Sequence, residues 1–209
     1  MAVQVNAPNE LHLAQINWRD QLPTLQGPRL VLRQLRIDDA AALFAMVTPQ
    51  DVSRFISAPP PNVAGFERFI ARSVAQQRAG VLACYVVTLR GHDTAIGLFQ
   101  VRELEPGFRC AEWGFALGSP FWGGGRFEEA AEMVMRFAFD TLGVHRLEAR
   151  AAVMNGRGNR ALQKVGAVAE GVLRQAFLCG TEYVDQVVYG IVESEWRASR
   201  SGAGTQTIH

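Results

Sequence analysis

The chain has few of the residues from which metal and disulfide sites are built. Its three cysteines, Cys84, Cys110 and Cys179, and its four histidines are scattered over 209 residues without a CxxC pair. Zinc sites repeat Cys and His at tight spacing, so no metal site is expected, and the cysteines read as reduced and mostly buried. An excess of charge of one sign is also lacking, with 21 Lys+Arg against 20 Asp+Glu and a net charge of +1. Nucleic-acid binders gather a basic surplus on one face; none is evident, so no nucleic-acid partner is expected. No apolar run is long enough to cross a bilayer, and the opening MAVQVNAPNELHLAQ lacks a positive start followed by an apolar stretch. Neither a membrane anchor nor a secretory leader is expected, and the expected location is cytoplasmic.

What is present fits a substantial core: 48% of residues are hydrophobic and 20% charged. The expected organisation is an N-terminal arm over 1–24, one domain over 25–197 and a flexible small-residue tail over 198–209. Leu30-Val31-Leu32 opens a first strand. Asp38 or Asp39 caps a helix through Val47, and Asn62, after the break at Pro59–Pro61, caps another to about Arg78. Period-two segments follow at Ala83–Leu89 and Ile96–Val101, joined by Gly91-His92-Asp93, and at Ala111–Leu117. A helix over Phe127–Leu142, a strand at Leu147–Val153, a short helix at Arg157–Val165 and strands around Val168–Phe177 and Tyr183–Val192 complete the chain. The order β-αα-βββ-α-β-α-ββ predicts an α/β (α+β) fold, a mixed sheet with helices on both faces.

The segment richest in chemistry is Gly118-Ser119-Pro120-Phe121-Trp122-Gly123-Gly124-Gly125-Arg126-Phe127, where a strand runs through glycines into a helix. Glycines let the main chain approach a ligand and adopt positive φ. The first helical N–H groups lack internal partners and stabilise an anion. Gly123, Gly124, Gly125, Arg126 and Phe127 are therefore candidate phosphate-binding residues. A P-loop would end in GKS or GKT, and a Rossmann turn needs GxGxxG after the first strand of a parallel unit; neither pattern is present.

Four blocks in order resemble the GCN5-related N-acetyltransferases (GNAT), especially the RimJ/RimL-like branch that acetylates ribosomal-protein N-termini. Phe121–Ala130 is similar to that branch's WGxGxxxEA, and Leu142–Ala149 to its LGxHRLEA. The stretch from Asn155 through Arg160 to Ala167 is similar to N-x-x-S-x-R-x-L-x-K-x-G-F, and Glu170–Arg174 to EGxLR. The resemblance covers about Arg29 to Trp196. It implies a mostly antiparallel sheet whose fourth and fifth strands splay apart around acetyl-CoA. Phe115, Ala116 and Leu117 would pair with the pantetheine arm, the glycine turn would hold the pyrophosphate, Asn155 would touch the pantetheine and Arg160 would lie near the phosphates. Family habit and amphipathic edges imply a homodimer.

Acyl transfer to an amine needs a neutral nucleophile, a stabilised oxyanion and a protonated leaving thiol. The resemblance implies direct attack without a covalent intermediate. Glu112 is the candidate catalytic residue, drawing a proton from the amine, and the alternative is a strand-face carboxylate that only pairs with an arginine. Relatives place a tyrosine where this chain has Leu162, a serine where it has Gly158 and a phenylalanine where it has Ala167, so Tyr183 or solvent is left to protonate the thiolate. Gly158 and Ala167 also leave room for a longer acyl group. His145 is expected to cap or pack, and Trp113, Phe115 and Phe121 to form core and tunnel walls. Cys110 has no evident base beside it to make it a nucleophile. Arg54, Phe55 and Pro59–Pro61 form a candidate acceptor lid. The expected function is acetyl transfer to a primary amine, a protein N-terminus or a small molecule. The alternatives are a non-catalytic acyl-CoA-binding module and a purely structural domain.

Overall fold

The structure is a computed structural model that describes residues 17–202. Eight strands form one sheet: β1 (Leu25–Gln26), β2 (Leu30–Gln34), β3 (Leu82–Leu89), β4 (Ala95–Glu103), β5 (Cys110–Leu117), β6 (Arg146–Ala152), β7 (Val168–Cys179) and β8 (Glu182–Val192). Their spatial order is β1-β2-β3-β4-β5-β6-β8-β7. Every pair is antiparallel except β5 with β6, which run parallel and are paired only over Cys110–Glu112 and Arg146–Glu148. Past that point β5 and β6 diverge, and the opening between them is the start of the site. These are the fourth and fifth strands of the sequence reading, renumbered because the two-residue edge strand β1 was not expected.

Helices cover both faces because the strands bury both. Seven of the eight residues of β3 are buried, which places it mid-sheet between two cores. On one face α1 (Ala40–Val47), the single-turn α2 (Gln50–Ser53) and α3 (Val63–Arg78) pack Leu43, Phe66 and Ile70 onto Leu82, Cys84 and Val86. On the other, α4 (Arg126–Phe137), α5 (Gly156–Lys164) and α6 (Glu193–Gly202) contribute Ala130, Val134, Leu162 and Trp196 to a larger core with Phe99, Trp113 and Leu147. α3 starts where Asn62 was expected to cap it, its side chain accepting from Gly65 N at 2.8 Å. α4 passes into a π-helical turn over Ala138–Leu142 that Gly143 ends at φ 72°. No helix among the described residues is long and apolar enough to cross a membrane.

Two expectations at the termini need correction. The arm was expected to be loose to residue 24, yet Leu22 is 2% exposed and Trp18 meets Phe108 edge-on with ring centroids 5.6 Å apart. Two isolated apolar anchors suffice for this, and neither makes a periodic pattern. The tail was expected from residue 198, but α6 continues to Gly202, held by buried Trp196 and by Arg200, which donates to Glu132 at 2.9 Å. Residues 1–16 and 203–209, where the rest of both expectations falls, lie outside the described residues.

Candidate active site

A cleft of about 1340 Å³ opens where β5 and β6 part, running from the glycine turn to α3 and the loop before it. Ligand sites for one small molecule span roughly 300–1,000 Å³, so there is room for a cofactor and part of a second substrate. Glu112, Phe115, Ala116, Leu117, Gly123, Phe127, Asn155 and Arg160 line it. Gly124, Gly125 and Arg126 do not; they form the outer part of the turn.

The turn has an unusual backbone. Gly123, Gly124 and Gly125 have φ of 79°, 61° and 75°, three successive left-handed residues, and α4 begins at the next position. A side chain in that region costs about 1–2 kcal/mol per residue, so glycine is required at each. The first residues missed by the sequence reading are those that hold this shape. Arg29, just before β2, donates through Nη1 to Gly124 O and through Nη2 to Gly125 O at 3.0 Å. Its Nε donates to Glu129 Oε2 at 2.7 Å, and Glu129 Oε1 accepts from the N–H groups of Arg29 at 2.8 Å and Leu30 at 3.0 Å. Burial raises the Glu129 pKa most, but these hydrogen bonds and the guanidinium charge together outweigh it and hold the carboxyl below its ordinary value. With both carbonyls turned to Arg29, the N–H groups of Gly124, Gly125, Phe127 and Glu128 have no protein partner among the described residues. Donors without partners at a helix N-terminus, on a backbone that no Cβ obstructs, suit a pyrophosphate.

The strand side of the cleft follows from ladder parity. Gly118 N donates to Ile96 O at 2.8 Å, so alternate residues Ala116 and Gly114 spend their main-chain groups on β4. Phe115 and Leu117 direct theirs into the opening, where the Leu117 carbonyl is taken by the Trp122 indole at 2.8 Å. Of the three residues expected to pair with pantetheine, Phe115 N–H and C=O and Leu117 N–H are therefore available, and Ala116 is not. Beneath them Phe99, Trp113, Phe115 and Phe127 form one aromatic layer, with Phe115 and Phe127 centroids 4.4 Å apart. Trp113, Phe115 and Phe121 are wall and core residues, as expected.

Across the opening, Asn155 caps α5, accepting from Gly158 N at 2.9 Å. A Cβ at residue 158 would lie 2.5 Å from Asn155 Nδ2, so the folded-in cap goes with glycine where relatives carry serine. Arg157, also missed, stacks over Trp122 at 4.2 Å and joins Arg160 and Lys164 on the cleft-facing side of α5.

Glu112 is half-buried and, among the described residues, makes no ion pair, although Arg102 is its cross-strand neighbour. Its neighbour in β6, Glu148, is bridged by Arg146 at 3.2 Å. No Tyr, His or Cys lines the cleft among the described residues. Leu162 is 1% exposed, while Tyr183 is 65% exposed on the outer β7–β8 hairpin, away from the cleft lining, and is not positioned to protonate a thiolate. His145 is exposed, and its main chain links Arg109 O to Glu193 N. Burial pushes the Cys84 thiol up to about 12, and burial followed by the Glu148 charge raises Cys110, so neither supplies a thiolate at neutral pH. The loop before α3 lines the cleft at Phe55 and Pro59–Pro61, and the hairpin reaches it where Cys179 Sγ–H donates to Arg54 O at 3.3 Å.

The family model for the GNAT acetyltransferase domain matches residues 29–168. The chain belongs to the GNAT family of acetyltransferases. The Bacillus subtilis N-acetyltransferase YoaA is 32% identical over 82% of this chain and 97% of its own length. Mycobacterium smegmatis RimJ, solved in complex with CoA-disulfide, shares the fold at 21% identity, with a TM-score of 0.76 over 90% of this chain and 96% of that one. The ribosomal-protein-S5-alanine acetyltransferase of Vibrio fischeri does so at 16% identity and TM-score 0.74, over 83% and 98%. As a GNAT enzyme this protein is an acyltransferase that uses acetyl-CoA, and the unobstructed glycine turn and the opening beside β5 fit that cofactor.

Proposed function

We propose that the protein transfers the acetyl group of acetyl-CoA to the primary amine of a protein N-terminus by direct attack. The observation carrying this is that Gly123 and Phe127 at the ends of the braced glycine turn, the free main-chain groups of Phe115 and Leu117 and the unpaired carboxylate of Glu112 line one cleft. In this reading the partner-free N–H groups of Gly124, Gly125, Phe127 and Glu128 bind the pyrophosphate, Asn155 and Arg160 flank the cofactor, and a β5 N–H polarises the thioester carbonyl. Glu112 accepts the amine proton, directly or through water, and water returns a proton to the leaving thiolate. A protein acceptor is supported by an open, two-ligand cleft and by a fold shared with ribosomal-protein acetyltransferases. A location in the cytoplasm and pairing of two copies belong to the same reading. The latter is supported by β7, which has no strand on its outer side among the described residues and on which Val168, Val172 and Leu178 are exposed.

The test is thiol release from acetyl-CoA with peptide and small-amine acceptors. Glu112→Gln is expected to lower kcat by about 10²–10⁴ while the acetyl-CoA affinity stays unchanged. The absence of a cleft phenol favours a second reading, a CoA-binding module without turnover. Wild-type protein that binds acetyl-CoA but releases no thiol with any amine would establish it.

A further inference from the structure

The half of the cleft remote from the glycine turn is lined by arginines. Arg68 and Arg72 lie four residues apart on α3, so they share one helix face, and both border the cleft. Arg102 on β4 and Arg150 on β6 border it from the sheet. Their neighbours Val101, Ala149 and Ala151 belong to the α4-side core, so alternation puts both arginines on the opposite, α3 face. Glu112 lies on that face too, between Ala111 and Trp113 of the same core. Among the described residues none of Arg68, Arg72, Arg102 and Arg150 has a carboxylate within ion-pair distance, even though Arg102 faces Glu112 across the strands. The carboxylates lining the cleft are Asp51, Glu112 and Glu128, and Glu128 is taken by Lys164 at 3.3 Å. Arg160, proposed to lie near the cofactor phosphates, is on α5, on the other face of the sheet, as are Arg157 and Lys164.

Four guanidinium groups without a carboxylate partner among the described residues therefore border the same half of the cleft as the carboxylate that is to receive the amine proton. Their field repels a lysine-rich segment and attracts carboxylates, and Arg is the residue suited to bind them in bidentate fashion. They also disfavour the charged ammonium form of a nearby amine, which helps produce the neutral nucleophile. The arginines are too widely spread for one small dicarboxylate. Arg68 and Arg72 are separated by about one helical turn, roughly 6 Å, but Arg102 and Arg150 by more than two strand spacings, over roughly 10 Å, because Arg150 lies past the paired part of β5 and β6. An extended chain covers such a distance in about three residues.

We infer that the acceptor is an acidic peptide N-terminus, an α-amine followed within its first few residues by Asp or Glu. This rests on the acetyl-transfer reading for the amine and on the arginine wall for the charge, and the two are separable by experiment. Three peptides with the same N-terminal serine, followed by acidic, neutral or basic residues, are titrated by fluorescence anisotropy into full-length protein saturated with CoA. The same peptides are assayed for thiol release from acetyl-CoA, with free glutamate as a competitor. The acidic peptide is expected to bind at least about tenfold more tightly than the neutral one, with a preference that shrinks as salt rises. The pair Arg68→Glu and Arg72→Glu is expected to remove or reverse the preference with the acetyl-CoA affinity and melting temperature retained. Equal binding of the three peptides, binding of none, or preference for the basic one overturns the inference. So does glutamate competing as well as the acidic peptide. Selective binding of the acidic peptide without thiol release upholds the charge specificity and sinks the transfer reading. Release with equal kcat/KM for all three does the reverse.

Discussion

Arg29 and Glu129 are one hundred residues apart in sequence and jointly fix the carbonyls of the glycine turn. Removing the guanidinium frees Gly124 O and Gly125 O to rotate, and with them the N–H groups proposed to bind phosphate. Arg29→Ala is expected to weaken acetyl-CoA binding about tenfold or more, the order set by losing a charge-assisted hydrogen bond, with a smaller effect on kcat at saturation. Titration of the variant and steady-state kinetics would show a KM effect; a drop in kcat alone would contradict it. The pH dependence follows from the same pair. Because the folded state depresses the Glu129 pKa from 4.5, the clamp's contribution is complete above that value and is lost as pH falls through the depressed one. Cofactor affinity is expected to be flat through the neutral range and to fall only in acid, an effect that Glu129→Gln would remove along with part of the affinity.

At the scale of elements, the parts legible in the sequence are those whose cause is local. Asn62 and Asn155 announce α3 and α5 because a cap needs only its own side chain and the next turn. The glycines at Gly123–Gly125 announce a positive-φ turn because no other residue tolerates it cheaply. The Arg29 clamp, the arginine wall and the anchoring of α6 by Trp196 were not legible, since each is made by residues brought together only by the sheet order. Glu129 did stand in the WGxGxxxEA block, but its partner was hidden. Parity also divides the β5 triplet, which no reading of Phe115, Ala116 and Leu117 as a run could do. Asn155→Ala tests the element proposed to bound the cofactor on its far side. Loss of the cap is expected to cost about 1 kcal/mol, seen as a lower melting temperature, together with a raised KM for acetyl-CoA; unchanged values of both would place Asn155 outside the site.

For the molecule as a whole, the two-core sheet must be rigid enough to keep β5 and β6 apart. One contributor is a buried ion pair on the α1 side, where Arg33 donates to both Asp39 oxygens at 2.8 and 2.9 Å and its Nε to Asp93 at 2.5 Å. Arg33 and Asp39 are 7% and 5% exposed. Asp39→Ala leaves a buried guanidinium with a single, exposed carboxylate, that of Asp93, and is expected to destabilise the fold by about 3–5 kcal/mol in denaturant melts; a loss below 1 kcal/mol would mean that water reaches Arg33. The glycine turn as cofactor cradle is tested by calorimetric titration with acetyl-CoA of the wild type and of Gly124→Glu. Micromolar binding by the wild type, abolished in a variant that stays folded and melts only a few degrees lower, is the predicted result. No heat from the wild type, or equal binding by the variant, would contradict the assignment of the glycine turn as the cofactor site.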